Sequence, residues 1–125
     1  MDESKARRLL EEERTRLEQV RNTLLLESLE ESQSASMQEL ADIDQHPGDQ
    51  GTETFEREKA ESIRISTEAQ LQDVDRAVGK LDSGQYGRCE ICGRDIPDER
   101  LEARPAARYC IEDQAKVEQE SAGLP

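Results

Sequence analysis

The sequence predicts a mainly α fold, in which a long antiparallel helical hairpin is followed by a small cysteine-containing module and a C-terminal helix. Charged residues make up 38% of the 125 residues and hydrophobic residues only 33%, which argues against a large globular core. Two long segments carry apolar residues at a 3-4 spacing, as a coiled coil does. All three cysteines lie between residues 89 and 110, after the second segment.

The first helix is predicted from about Ser4 to Glu31, because this segment contains neither Gly nor Pro. Glutamates interrupt its apolar residues, so the hydrophobic seam is narrow. The seam consists of Ala6, Leu10, Leu17, Val20 and Leu24.

The second helix is predicted from about Thr52 to Leu81, and Phe55 and Ile63 continue its seam less regularly toward the start. Each helix alone would expose its apolar stripe, so the two are expected to pair as an antiparallel hairpin over residues 1–82. The closest packing is expected where Leu10 and Leu17 lie beside Val74 and Leu81. The regular part of the second seam consists of Leu71, Val74, Val78 and Leu81.

The tip of this hairpin is predicted at about residues 45–52. Pro47 and two glycines are expected to stop the first helix, and Thr52 to cap the second. An acidic tip is expected, although Asp is also common in turns and near helix starts. Disorder is an alternative for residues 28–52, because they are so polar. The acidic residues are Asp42, Asp44 and Asp49.

The composition changes after Leu81, where Gly and Pro become frequent, and we predict a second domain over residues 83–125. Helix-forming residues return from about Ala107 and continue to a fraying tail at 121–125. The Cys89-Glu90-Ile91-Cys92-Gly93 segment has the form of a zinc-knuckle half-site, because a two-residue gap lets two thiolates face one cation. Gly93 then permits a left-handed turn.

The second half-site is Cys110-Ile111-Glu112-Asp113, in which Asp113 occupies the position of a fourth cysteine. A carboxylate can ligate zinc through oxygen, so we predict one zinc ion per chain on Cys89, Cys92, Cys110 and Asp113. The module is therefore described as zinc-finger-like.

Other interpretations of the cysteines remain open. The module can fold around its own small core without metal, or the Cys89–Cys92 pair can be redox active, although no βαβ pattern accompanies it. A catalytic zinc would need an open coordination position and a walled pocket, for which the module has few residues, so no enzyme activity is expected. His46 is interpreted as a turn residue, not as a metal ligand.

The net charge of −13 opposes diffuse attraction to nucleic acid or anionic membranes, which points to a protein partner. No apolar run is long enough for a membrane span, and the first twelve residues are charged, so the sequence predicts a cytoplasmic location without membrane association. Clustered cysteines in a reducing compartment favour metal binding over disulfides.

Three stretches, Tyr86–Gly93, Arg100–Pro105 and Cys110-Ile111, together with the hairpin before them, resemble the DksA/TraR family of bacterial RNA-polymerase-binding proteins. The resemblance implies a transcription regulator without direct DNA contact. Its hairpin would enter the secondary channel of the polymerase, its acidic tip would approach the active site, and its globular module would hold the rim. Initiation would then be tuned through the stability of the promoter complex.

The resemblance also implies partner-binding residues. The family tip reads Asp-Pro-x-Asp-x-Ala, so Asp49 matches its second acid while His46 replaces the first. Arg104 matches a basic position that helps to bind the alarmone ppGpp, but Asp73 and Gln114 stand where lysines are expected. A strong ppGpp response is therefore not expected. Because of these departures, an alternative function stays open, in which the scaffold has been repurposed to bind a different protein target.

Overall fold

The computed structural model describes residues 1–41 and 47–123, with side chains for 1–30 and 54–121. This part of the chain contains helices and a single isolated antiparallel bridge, Arg88–Asp95, but no β-strand. The mainly α fold class, a helical hairpin followed by a zinc-finger-like module and a C-terminal helix, is confirmed. The helices are α1 (Glu3–Ala41), α2 (Pro47–Asp82), α3 (Asp98–Ala103) and α4 (Ile111–Gly123).

The first two helices are both longer than predicted. Helix α1 continues ten residues beyond Glu31, because no Gly or Pro interrupts the sequence before Pro47. The predicted start of the second helix at Thr52 is wrong, since α2 begins at Pro47. Proline suits a first helical position because its φ is already helical and its missing N–H would be unpaired there. Residues 42–46, which include His46 of the predicted tip, lie outside the described residues.

The chain divides into two compact units, Met1–Thr15 with Gln70–Pro125, and Arg16–Ala69. The first unit contains the beginning of α1, the end of α2 and the whole C-terminal module. This division does not test the predicted domains 1–82 and 83–125, which stay a prediction.

Ion pairs in the first unit show the direction in which α1 and α2 run. Arg7 pairs with Asp82 at 2.8 Å, and Arg14 pairs with Asp75. Seven residues forward on α1 thus correspond to seven residues backward on α2, which is an antiparallel register. These pairs are exposed at the surface, so they define the register more than they stabilise it.

The apolar seam supplies the stabilising contact between the helices in this unit. The predicted seam residue Val78 is only half-buried, and Ala77 is buried in addition to the predicted set. Small and branched apolar side chains at a 3-4 spacing let two helices approach closely. The buried seam residues of this unit are Ala6, Leu10, Leu71, Val74, Ala77 and Leu81.

The second unit has little buried core among its described side chains. Leu17 is 2% exposed and Thr67 is buried, and the Thr67 hydroxyl donates a hydrogen bond to the Ile63 carbonyl at 2.7 Å. The predicted seam residues Val20 and Leu24 are half-buried, whereas Phe55 and Ile63 are exposed. The weaker periodicity of the second seam near Phe55 therefore corresponds to loose packing.

The C-terminal module contains one helix that the sequence did not predict, the six-residue α3, which buries Leu101. Helix α4 begins at Ile111, four residues later than expected, since the chain from Ala107 to Cys110 packs against the module core instead. Among residues 1–41 and 47–123, no helix is long and apolar enough to cross a membrane.

We expect Leu17→Asp to destabilise the hairpin, because it places a charge where the leucine side chain is almost completely buried. The free energy of unfolding should fall by about 3 kcal/mol. Thermal unfolding followed by circular dichroism measures this change. Leu26→Asp, at a position that is 62% exposed, is the matched control and should leave the melting temperature nearly unchanged. Equal melting of both variants would contradict the proposed seam.

Candidate metal centre

The first half of the site is a tight turn that places two thiols on one side. The Cys89 N–H donates to the Arg94 carbonyl at 2.8 Å, and the Gly93 N–H donates to the Cys89 carbonyl at 3.0 Å. Gly93 has φ 73°, a left-handed conformation that residues with a Cβ rarely adopt. The turn therefore folds the two-residue gap between Cys89 and Cys92 as the sequence predicts.

The second half of the site lies at the start of α4. Cys110 precedes the helix, and its carbonyl accepts the first helical hydrogen bond, from the Gln114 N–H at 2.8 Å. Asp113 follows three residues later, so one helical turn brings its carboxylate back to the side of Cys110. The Glu90 N–H donates to the Arg108 carbonyl at 2.9 Å and holds the two halves together.

The four predicted ligand residues converge on one point. One ligand atom from each of Cys89, Cys92, Cys110 and Asp113 lies within 4.8 Å of all the others. The Asp113 Oδ2 atom accepts hydrogen bonds from the Cys89 thiol at 3.1 Å and from the Cys110 thiol at 3.2 Å. The sulfur atoms of Cys92 and Cys110 are 3.9 Å apart.

These distances are close to the edges of a tetrahedron around zinc. Zinc–sulfur bonds of about 2.3 Å give a sulfur–sulfur edge of about 3.8 Å, and a zinc–oxygen bond of about 2.0 Å gives a sulfur–oxygen edge of about 3.5 Å. The donor set fits in charge as well, because three thiolates and one carboxylate carry the same four negative charges as four thiolates. When bound, zinc would act as a structural cross-link with all four positions filled by protein.

The polar surroundings favour ionised ligands at two of the four positions. Burial raises the pKa of the Cys89 thiol, but backbone N–H groups of three neighbouring residues lower this pKa further than burial raises it. Hydrogen bonds from the three thiols lower the pKa of Asp113. The pKa of Cys92 is raised to about 11, because the Asp113 carboxylate, burial and the other thiols outweigh a backbone hydrogen bond from Arg94. A zinc ion would supply the positive charge that stabilises all of these ligands as anions.

A small apolar cluster supports the site from one side. Cys89, Ile96 and Leu101 are its buried members, and the Tyr86 hydroxyl closes the adjacent loop by donating to the Pro105 carbonyl at 2.7 Å. Gly87 has φ 85°, and a Cβ added there would lie 3.4 Å from Leu101, so this turn also requires glycine.

Glu90, which the sequence analysis left without a role, connects the metal site to α2. One carboxylate oxygen of Glu90 lies 2.6 Å from Lys80 and 2.8 Å from Arg76, and the other accepts a hydrogen bond from Arg108 at 3.0 Å. Burial raises the pKa of Glu90, but the cations outweigh burial and lower it. The only sequence signal was an acidic residue inside the Cys-x-x-Cys gap, and its partners could not be identified without the fold.

Of the predicted partner-binding residues, only Arg104 has a described side chain. Arg104 is exposed at the end of α3. Asp49 lies in the first turn of α2, but its side chain is outside the described residues, as is all of His46. Asp73 lies 3.9 Å from Arg108, so this acidic replacement faces the cations around Glu90.

Comparison with known proteins identifies this arrangement. Residues 84–119 match the prokaryotic dksA/traR C4-type zinc finger. The segment 84–119 therefore belongs to the DksA/TraR zinc-finger family. The matched segment contains all four of the clustered residues, with Asp113 in place of a fourth cysteine.

Two curated relatives illustrate the extent of the similarity. The chain is 44% identical over 74 residues to the uncharacterized protein YteA of Bacillus subtilis strain 168, a match that covers 59% of this chain and 31% of YteA. It is 33% identical over 66 residues to the RNA polymerase-binding transcription factor DksA of Haemophilus influenzae, covering 53% of this chain and 46% of that protein. The chain thus spans between about a third and a half of the length of these relatives.

The solved structure of transcription factor DksA2 from Pseudomonas aeruginosa is similar over nearly the whole chain. The TM-score is 0.50 and the sequence identity 24%, with 91% of this chain and 86% of that chain covered. At this level of identity the similarity supports the fold alone.

We expect the purified protein to contain close to one zinc ion per chain, measured by atomic emission spectrometry. Asp113→Ala should weaken zinc retention against a chelator, since it removes one of four ligands, and Asp113→Cys should strengthen it. Glu112→Ala is the matched control, because it removes the neighbouring exposed carboxylate and should leave zinc retention unchanged. Full zinc retention by Asp113→Ala, or metal-free protein purified without chelator, would contradict this ligand set.

We expect Glu90→Gln to destabilise the protein, because it removes the negative charge that three cations share in a largely buried position. The free energy of unfolding should fall by about 1 to 3 kcal/mol. Chemical denaturation measures the change. Glu102→Gln is the control, since it breaks one exposed pair, with Lys5, and should cost less than about 1 kcal/mol. If both variants unfold alike, Glu90 does not hold the module to α2.

Proposed function

We propose that this chain is a transcription regulator that binds RNA polymerase through the secondary channel and modulates initiation without binding DNA directly. The main support is the sequence similarity to the H. influenzae protein, whose name states that it binds RNA polymerase. A helical hairpin before a DksA/TraR-type zinc finger is the arrangement that the resemblance implies for such a regulator. The net charge of −13 disfavours direct contact with DNA, and no enzyme activity is proposed.

In this proposal the two predicted domains have different tasks. The module at 83–125, with one zinc ion and the exposed Arg104, contacts the rim of the channel and supplies affinity. The hairpin at 1–82 carries His46 and Asp49 toward the active site and supplies the regulatory effect. The protein acts in the cytoplasm, where its partner is found.

A ppGpp response is proposed to be weak. Arg104 keeps the basic character of the family position, but Asp73 and Gln114 replace lysines. The Asp73 carboxylate would repel the nucleotide phosphates, and it lies 3.9 Å from Arg108, so it also competes for that cation.

Two departures from the family favour a second candidate function, in which the scaffold binds a different protein. His46 replaces an acid at the tip, and Asp113 replaces a cysteine in the metal site. Capture of core RNA polymerase from a lysate of the source organism by the tagged protein, identified by its subunits, distinguishes the candidates.

We expect Asp49→Ala to leave polymerase binding within a few-fold, a change of under about 1 kcal/mol, while abolishing the effect on promoter-complex lifetime. The reason is that the variant removes the one tip carboxylate that matches the family motif, while the module that is proposed to supply affinity is unchanged. His46→Asp, which restores the other acid, should strengthen the effect. A binding competition and an initiation assay measure the two quantities separately.

The exposed Asp2 provides the control, because Asp2→Ala removes one carboxylate far along the chain from the tip and should change neither quantity. Equal transcriptional effects of wild type, Asp49→Ala and His46→Asp would exclude the tip mechanism. Absence of wild-type binding would exclude the polymerase and leave the second candidate.

A further inference from the structure

Two cations near the end of α2 contact a carboxylate that lies inside the ligand-bearing turn. Arg76 and Lys80 lie one helical turn apart, and both contact the same oxygen of Glu90, at 2.8 Å and 2.6 Å. Glu90 stands in the gap between Cys89 and Cys92, two of the predicted zinc ligands. The helix α2 thus contacts this turn through the Glu90 side chain.

The Glu90 carboxylate depends on these cations because it is poorly solvated. Its side chain is only 18% exposed, and an ionised carboxylate with so little water needs charged partners. Arg108 donates to its other oxygen at 3.0 Å. The Lys80 side chain is itself 23% exposed, so solvent and salt screen this pair less than they screen the surface pairs of Arg7 and Arg14.

The backbone of Glu90 also holds the metal site together. Its N–H donates to the Arg108 carbonyl at 2.9 Å, which joins the Cys89–Cys92 turn to the segment just before Cys110. Glu90 therefore fixes the turn twice, with its carboxylate on α2 and with its N–H on the other half of the site. Release of the carboxylate into water would displace the turn and weaken this backbone hydrogen bond.

The charges of the site and its surroundings balance only when the α2 cations are included. The four predicted ligands and Glu90 carry five negative charges when ionised. A bound zinc ion would supply two positive charges, and the three cations around Glu90 supply three more. Asp73 beside Arg108 and Lys116 beside Asp113 add one charge of each sign. Loss of both α2 cations would leave a surplus of negative charge next to the thiolates.

We propose that Arg76 and Lys80 are positioning residues of the zinc site, which act through Glu90 to hold the Cys89–Cys92 turn in its ligand-binding form. The end of the hairpin thereby sets how tightly the module retains zinc. The effect is reciprocal, because zinc binding and the α2 contact must change each other's free energy by the same amount. This inference rests on the predicted ligand set and goes beyond the proposed function.

The test measures the zinc affinity of the full-length protein by competition with a chromophoric chelator. Arg76→Gln/Lys80→Gln should lower the affinity about ten-fold, an effect typical of residues that support metal ligands. Arg7→Gln/Arg14→Gln is the matched control, because it removes the same charge from two ion pairs with α2 that do not involve Glu90. This control should bind zinc like wild type, as should Arg76→Lys/Lys80→Arg, which keeps both charges.

A combined variant tests whether the two cations act through Glu90. Glu90→Gln alone should weaken zinc binding, and the addition of Arg76→Gln/Lys80→Gln should cause no further loss, because the charge that the cations compensate is already absent. If the cations only stabilised α2, the two losses would multiply instead.

Two measurements keep a folding defect apart from a change in the metal site. Far-UV circular dichroism checks the helix content of each variant, and thiolate-to-metal absorption of the Co²⁺-loaded protein checks that the cysteines still bind. Both signals should match wild type at saturating metal. If Arg76→Gln/Lys80→Gln does not fold, Arg76→Gln alone, at the more exposed of the two cations, should lower zinc affinity about three-fold.

The outcomes separate this inference from the rest. Unchanged zinc affinity of Arg76→Gln/Lys80→Gln, or an equal loss in Arg7→Gln/Arg14→Gln, would overturn the proposal and leave the ligand set standing. Losses that multiply in the combined variant would overturn Glu90 as the connecting residue. A wild-type protein that binds no zinc would overturn both the inference and the ligand set, while capture of RNA polymerase tests the proposed function independently.

Discussion

The C-terminal module has only three buried residues in its apolar cluster, Cys89, Ile96 and Leu101, and this small core is the constraint on which the rest of the module depends. Such a cluster buries too little apolar surface to offset the conformational entropy of about forty ordered residues. A cross-link between the turn at Cys89 and the start of α4 supplies what the core lacks. A zinc ion held by the four converging groups would provide this cross-link, and Asp113 would preserve the total ligand charge of a four-cysteine site.

The same segment also holds the module to the helices. Glu90 lies between two cysteines of the metal site and pairs with Arg76 and Lys80 on α2. The knuckle turn therefore places this carboxylate beside the cations of α2. Arg108, two residues before Cys110, binds the same carboxylate from the other half of the module. The Glu90 carboxylate thus links both halves of the candidate metal site to the end of α2.

The second unit has neither a metal site nor a charged cluster of this kind among its described side chains. Leu17 and Thr67 are its only buried residues there. Only a narrow seam packs the two helices of this unit together. Large apolar side chains remain exposed on both helices. Packing of this kind stabilises a rod poorly, but it leaves apolar surface for a partner.

The sequence by itself determined the two long helices, the seam from Ala6 to Leu17 and the four residues that cluster as candidate metal ligands. These features depend on local regularities: the 3.6-residue helical period and a two-residue gap between ligands. The helix start at Pro47, where the sequence indicated a break, follows the preference of proline for the first position of a helix. Only the tertiary structure decided that Glu90 binds Arg76, Lys80 and Arg108, and that Ala77 is buried whereas Val78 is only half-buried. The physical reason is that ion pairing and burial depend on which distant segments meet, and neither helical period nor ligand spacing contains that information.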